Sequence, residues 1–119
     1  MFKEALEAVV TGTEGGLAGL LMDFQGVAVE SYTKEGASFD IDMIGAEYSV
    51  VIKSIQRAAE SLEAGGASEV AVLAEKMITV IRVVNADYFV ALALSPDANL
   101  GKARYLLRVA VPKLVAELE

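Results

Sequence analysis

Apolar residues recur along the chain in two rhythms, and the changes between them mark out eight elements. Phe2, Leu6, Val9 and Val10 fall at helical spacing and predict an opening helix to about Thr11, ended by Gly12, Gly15 and Gly16. Leu17 to Met22 is apolar on both faces, the pattern of an inner strand covered from both sides. Asp23-Phe24-Gln25-Gly26 reads as a tight turn, and Val27 to Lys34 returns as a weaker, half-exposed hairpin partner. After the break at Glu35 to Ser38, with Ser38 or Asp40 as N-cap, the longest helix is predicted over Ile41 to Ala64 and stopped by Gly65-Gly66.

Three runs follow, Ser68 to Ala74, Met77 to Val84 and Tyr88 to Ser95, none of which contains glycine or proline. Glu75-Lys76 and Asn85-Ala86-Asp87 are connections of hairpin length, so the runs predict an antiparallel meander. A last helix places Leu100, Ala103, Leu107, Val111, Leu114 and Leu118 on one face, and Pro112 should bend it. The order is α-β-β-α-β-β-β-α, an α/β chain of the α+β type with a five-stranded antiparallel sheet and helices on both faces. The predicted organisation is one domain over residues 1–119.

The long middle helix carries two rows. Ile44, Tyr48, Val51, Ile55 and Leu62 form the stripe predicted to pack on the sheet. Beside it run Gly45, Ser49, Ile52, Gln56, Ala59 and Glu63, whose small and mixed side chains allow close approach of another helix. This second row predicts a symmetric homodimer through the middle helix, so that Ile52→Glu or Ala59→Arg should yield a monomer. The strand carrying Val70 and Val72 would add edge-to-edge pairing and hide an aggregation-prone edge.

Composition narrows the chemistry. With 55% hydrophobic residues and 7% aromatic, the core must be aliphatic. A formal charge of −7 without a Lys/Arg cluster argues against nucleic acid and anionic membranes. The opening Met1-Phe2-Lys3-Glu4-Ala5-Leu6-Glu7 interleaves charge with apolar residues, unlike a secretory signal or a membrane span, and predicts a cytoplasmic protein. Without cysteine or histidine there is no thiolate nucleophile or zinc-thiolate site, and no imidazole to titrate near neutrality.

The remaining motifs favour structural roles. Gly12, Gly15, Gly16 and Gly19 resemble a phosphate loop only in glycine content: no Gly-Lys-Ser/Thr follows, and the strand comes after the glycines. Asp40 and Asp42 suit a helix start, and Glu60 and Glu63 read as solvated positions. Arg57 could serve as an arginine finger in trans, but its exposed phase favours a surface pair with Glu60. No catalytic residue, metal site or cofactor is predicted.

Gly19-Leu20-Leu21-Met22-Asp23-Phe24-Gln25-Gly26, the long middle helix, and Ala98-Asn99-Leu100-Gly101-Lys102-Ala103-Arg104 opening the last helix stand in the order and spacing of a Roadblock domain. The chain resembles this family almost end to end. The family includes dynein light chains and bacterial MglB-type regulators of Ras-like GTPases. The resemblance implies a homodimer in which middle helices pair and sheets join. It also implies a platform that docks a small Ras-like GTPase of the MglA kind and modulates GTP hydrolysis or nucleotide state without a catalytic arginine of its own. Carried onto this chain by helix phase, the docking residues are Ala46, Ser49, Lys53, Gln56, Arg57 and Glu60. The alternative is a structural adaptor for a partner that is not a GTPase.

Overall fold

The fold is that of a computed structural model that describes residues 2–118. Its elements are α1 (Phe2–Gly12), β1 (Gly16–Asp23), β2 (Ala28–Thr33), α2 (Ile41–Ser61), β3 (Glu69–Leu73), β4 (Ile78–Val83), β5 (Tyr88–Leu94) and α3 (Leu100–Leu118). All pairings are antiparallel, in the strand order β2-β1-β5-β4-β3, so β2 and β3 form the two edges. The predicted α-β-β-α-β-β-β-α order and five-stranded sheet are those observed.

Strands buried on both faces need apolar residues at both phases of the pleat, and β1 and β5 supply them. Leu21, Val90, Leu92 and Leu94 point into one layer, closed by Leu6, Val9 and Val10 of α1 and Ala103, Leu107 and Leu114 of α3. Ala18, Leu20, Met22, Phe89 and Ala91 point into the opposite layer, closed by Ile41 and Ile52 of α2. The sheet therefore separates α2 from the α1/α3 pair.

Two of the glycines at the junction of α1 and β1 serve packing, the structural role expected of them. Gly15 takes φ +87° against Ala98, and a side chain on Gly16 would strike the Val10 carbonyl. The α3 helix runs through Pro112, which lies on its exposed side, where water can solvate the carbonyl that proline leaves without a donor.

Asp40 is the N-cap of α2: its Oδ1 accepts from the backbone N–H of Asp42 at 3.0 Å and Met43 at 3.3 Å. The helix ends earlier than predicted, at Ser61, because Glu63 enters the left-handed region at φ 57°. The Ala64 N–H then donates to the Ala59 carbonyl and the Glu63 N–H to the Glu60 carbonyl, which closes a Schellman turn before the glycines are reached. A glycine is at ease in this conformation and glutamate is not. Glu63→Gly is expected to raise stability by about 0.5–1 kcal/mol, read as a higher urea midpoint.

Candidate functional site

A β-sheet covered by one helix on a face leaves that helix with an outer side, and on α2 this side carries a short apolar stripe among charged residues. Met43 is exposed, Val50 is 62% exposed, and Val51 lies between them and Ile44. Met43, Ile44, Glu47, Tyr48 and Val51 line an open groove of about 510 Å³. Met43 and Val50 are seven residues apart, the repeat that keeps one stripe in register along a helix. The sequence reading missed this pair because Asp42, Glu47, Lys53 and Arg57 surround it and give the face a polar average.

The rotation of α2 about its axis differs from the one predicted. Gly45, Ser49 and Ile52, assigned from the sequence to a helix–helix seam, face the protein's own sheet, and Ile52 is 0% exposed. A Cβ on Gly45 would collide with the Leu20 side chain, so the small residue admits the sheet rather than a second helix. Ser49 donates to the Ala46 carbonyl at 2.7 Å and faces Gly26 of the β1–β2 turn. Gln56 is held by Ala67, donating to its carbonyl at 3.0 Å and accepting from its N–H at 2.8 Å. Ala59 is half-buried, and Glu63 lies beyond the helix.

The stripe predicted to be core is instead a flank. Ile44, Tyr48 and Ile55 are half-buried, Val51 is exposed and Leu62 is 78% exposed. By helical phase this flank lies across the helix from Ser49, turned away from the β1–β2 hairpin. Val70 and Met77 are half-buried against the same layer of the sheet, and Val72 shares their partial exposure. Val70 and Val72 belong to the end of the sheet where β3 has a neighbour on one side only, with its outer backbone edge unpaired by any described strand.

Of the docking residues expected from helix phase, Ala46, Lys53, Arg57 and Glu60 are exposed, whereas Ser49 is buried and Gln56 half-buried. Among the described residues, Arg57 makes no ion pair with Glu60. Phe24, Lys53, Gln56, Glu60, Ser68 and Asn85 contribute to a second open cleft of about 600 Å³ at the C-terminal end of α2. The tilted contact of Phe24 with Phe89, 5.3 Å between ring centres, fixes one wall. Among the described residues, no group of three acidic side chains is placed to hold a metal ion, and no helix is long and apolar enough to cross a membrane.

Arg104, exposed on α3, donates from Nε to Glu69 Oε2 at 2.7 Å, while Arg82 Nη1 lies 3.2 Å from Glu69 Oε1. The Arg104–Glu69 pair ties the start of α3 to the first residue of edge strand β3.

No protein-family model matches the chain, and the comparison with curated proteins gives no match. Among solved structures it is similar to MglC from Myxococcus xanthus, with 43% identity over 96% of this chain and 96% of that one, at a TM-score of 0.70. The Roadblock/LC7 domain from Streptomyces avermitilis is 14% identical over 98% of this chain and 96% of that one, with a TM-score of 0.87. The gliding protein MglB from Thermus thermophilus is 21% identical over 95% of this chain and 84% of that one, with a TM-score of 0.85. The latter two show the shared fold, and the identity to MglC shows kinship. The chain belongs to the Roadblock/LC7 family, as a relative of MglC.

Proposed function

We propose that two copies of this chain pair through the outer flank of α2 and the β3 edge, and that the pair docks and regulates a small Ras-like GTPase. The observation that carries this reading is the apolar face of α2, where Met43, Val50 and Val51 are exposed on a helix already packed on its own sheet. Such a face costs solubility unless something covers it. The β3 edge, unpaired by any described strand, offers backbone N–H and C=O groups to a second copy, so one association would hide both features.

The likeness to MglB and MglC supports a regulatory role. Docking would use Ala46, Lys53, Arg57 and Glu60, the exposed ones among the residues expected from helix phase. Regulation then consists of holding the partner's switch segments in one arrangement, and hydrolysis takes place in the partner's own site.

Immobilised protein is expected to retain a Ras-like GTPase, of the kind that MglB-type regulators serve, in one nucleotide state over the other when GTP and GDP analogues are compared. Absence of retention in both states would sink the reading. Retention of a partner that is not a GTPase, indifferent to nucleotide, would favour the adaptor alternative.

A further inference from the structure

The face opposite α2 carries a surface that the proposed pairing does not use. Four of the ten Lys and Arg residues, Lys102, Arg104, Arg108 and Lys113, fall on α3, whose span contains one acidic residue, Glu117. The chain as a whole has a charge of −7, so this helix is a basic ridge on an acidic protein. Arg104 is occupied by Glu69, but among the described residues Lys102, Arg108 and Lys113 are exposed and make no ion pair. Between these cations stand Tyr105, 57% exposed, and Val109, 43% exposed.

Lys102, Tyr105, Val109 and Lys113 follow one another at steps of three, four and four residues, so they share one stripe of α3. At 1.5 Å per residue the stripe is about 16 Å long, three turns of a helix. Beside it Ala5 and Ala8 of α1 and Leu106, Val109 and Lys113 of α3 line a shallow groove of about 100 Å³.

We propose that this ridge of α3 is a docking surface for an acidic amphipathic helix of a protein partner, whose apolar stripe covers Tyr105 and Val109 while its carboxylates meet Lys102, Arg108 and Lys113. Charge complementarity selects the sign of the partner, and the width of the stripe selects its shape. A flat anionic bilayer would also bring its charge against the rest of a protein with net charge −7, whereas a single helix seated on α3 meets the basic ridge alone. The sheet lies between this surface and α2, so occupation of one leaves the other free and a dimer would present two such ridges.

The test is fluorescence anisotropy with a labelled amphipathic peptide bearing leucine along one stripe and glutamate beside it. A counterpart with lysine for every glutamate, and phosphatidylserine-containing vesicles, serve as separate arms. The glutamate peptide is expected to bind, and the triple reversal Lys102→Glu, Arg108→Glu, Lys113→Glu to weaken it by about tenfold or more, with Tyr105→Ala also weakening it. Reversal of Lys34 and Lys76, which lie outside α3, should leave binding unchanged, and circular dichroism should show every variant folded. No binding of the glutamate peptide, equal binding of the lysine peptide, equal loss on reversal of Lys34 and Lys76, or binding to vesicles in place of peptide would overturn the assignment.

Discussion

Ile52→Glu is expected to unfold the protein rather than to separate a folded dimer. Ile52 lies at the centre of the layer between α2 and the sheet, with Leu20, Met22, Ile81 and Phe89 in the same cluster and no solvent exposure. A carboxylate placed there loses its hydration and has no cation in the cluster to replace it. The loss is expected to exceed about 4 kcal/mol, a large part of the stability of a domain this size. Protonation neutralises the intruding group, and burial raises its folded pKa above the unfolded value. The damage is therefore greatest at neutral pH and eases as the pH falls into the carboxylate range. A thermal melt followed by circular dichroism reads the effect. An Ile52→Glu protein that melts like the parent would show that α2 does not turn Ile52 toward the sheet.

Val51→Glu, one residue away, is expected to do the reverse: the protein stays folded and the dimer is lost. Val51 is exposed in the groove with Met43, Ile44 and Tyr48, so a charge there keeps its water in the monomer. In a pair of α2 helices the same charge would be buried against apolar side chains and close to Glu47. That change is expected to weaken association by about 2 kcal/mol or more, near thirtyfold. The melting behaviour of the single chain should change little. Together the two substitutions separate a core position from an interface position on adjacent residues of one helix, which a general loss of solubility could not do.

The contrast also shows what the sequence could and could not reveal. Strand and helix positions were legible because each element has its own period and its own punctuation: Gly26 closes the hairpin turn, Asp40 caps α2, and the strands from Glu69 to Leu94 are free of glycine and proline. The phase of α2 was not legible. Two rows share the helical period, and the more apolar one, Ile44 to Leu62, suggested the core. The small residues Gly45 and Ser49 did signal close approach, but the surface that approaches is the sheet, through Leu20 and Met22. Hydrophobicity marked the row set aside for the flank, and residue size marked the row that packs. A single chain has no way to rank these two signals, because both rows are buried if the protein pairs.

Arg104 illustrates a second limit. It stays exposed on α3, as its helical phase requires, but spacing along the helix does not announce its partner Glu69, thirty-five residues earlier in the chain. Long polar side chains follow partners that local spacing does not contain. The sequence motif from Asn99 to Arg104 thus combines a helix cap, where Asn99 Oδ1 accepts from the Lys102 N–H at 3.1 Å, with a tie to the strand through which the second copy would join.

The central claim, that the outer flank of α2 and the β3 edge join two copies into the unit that meets a GTPase, is tested most directly by the mass in solution. Light scattering on the eluting protein is predicted to give twice the 12.6 kDa of one chain for the parent and a single folded chain for Val51→Glu. A parent protein that elutes as a monomer at micromolar concentration, or a Val51→Glu protein that stays dimeric, would contradict it.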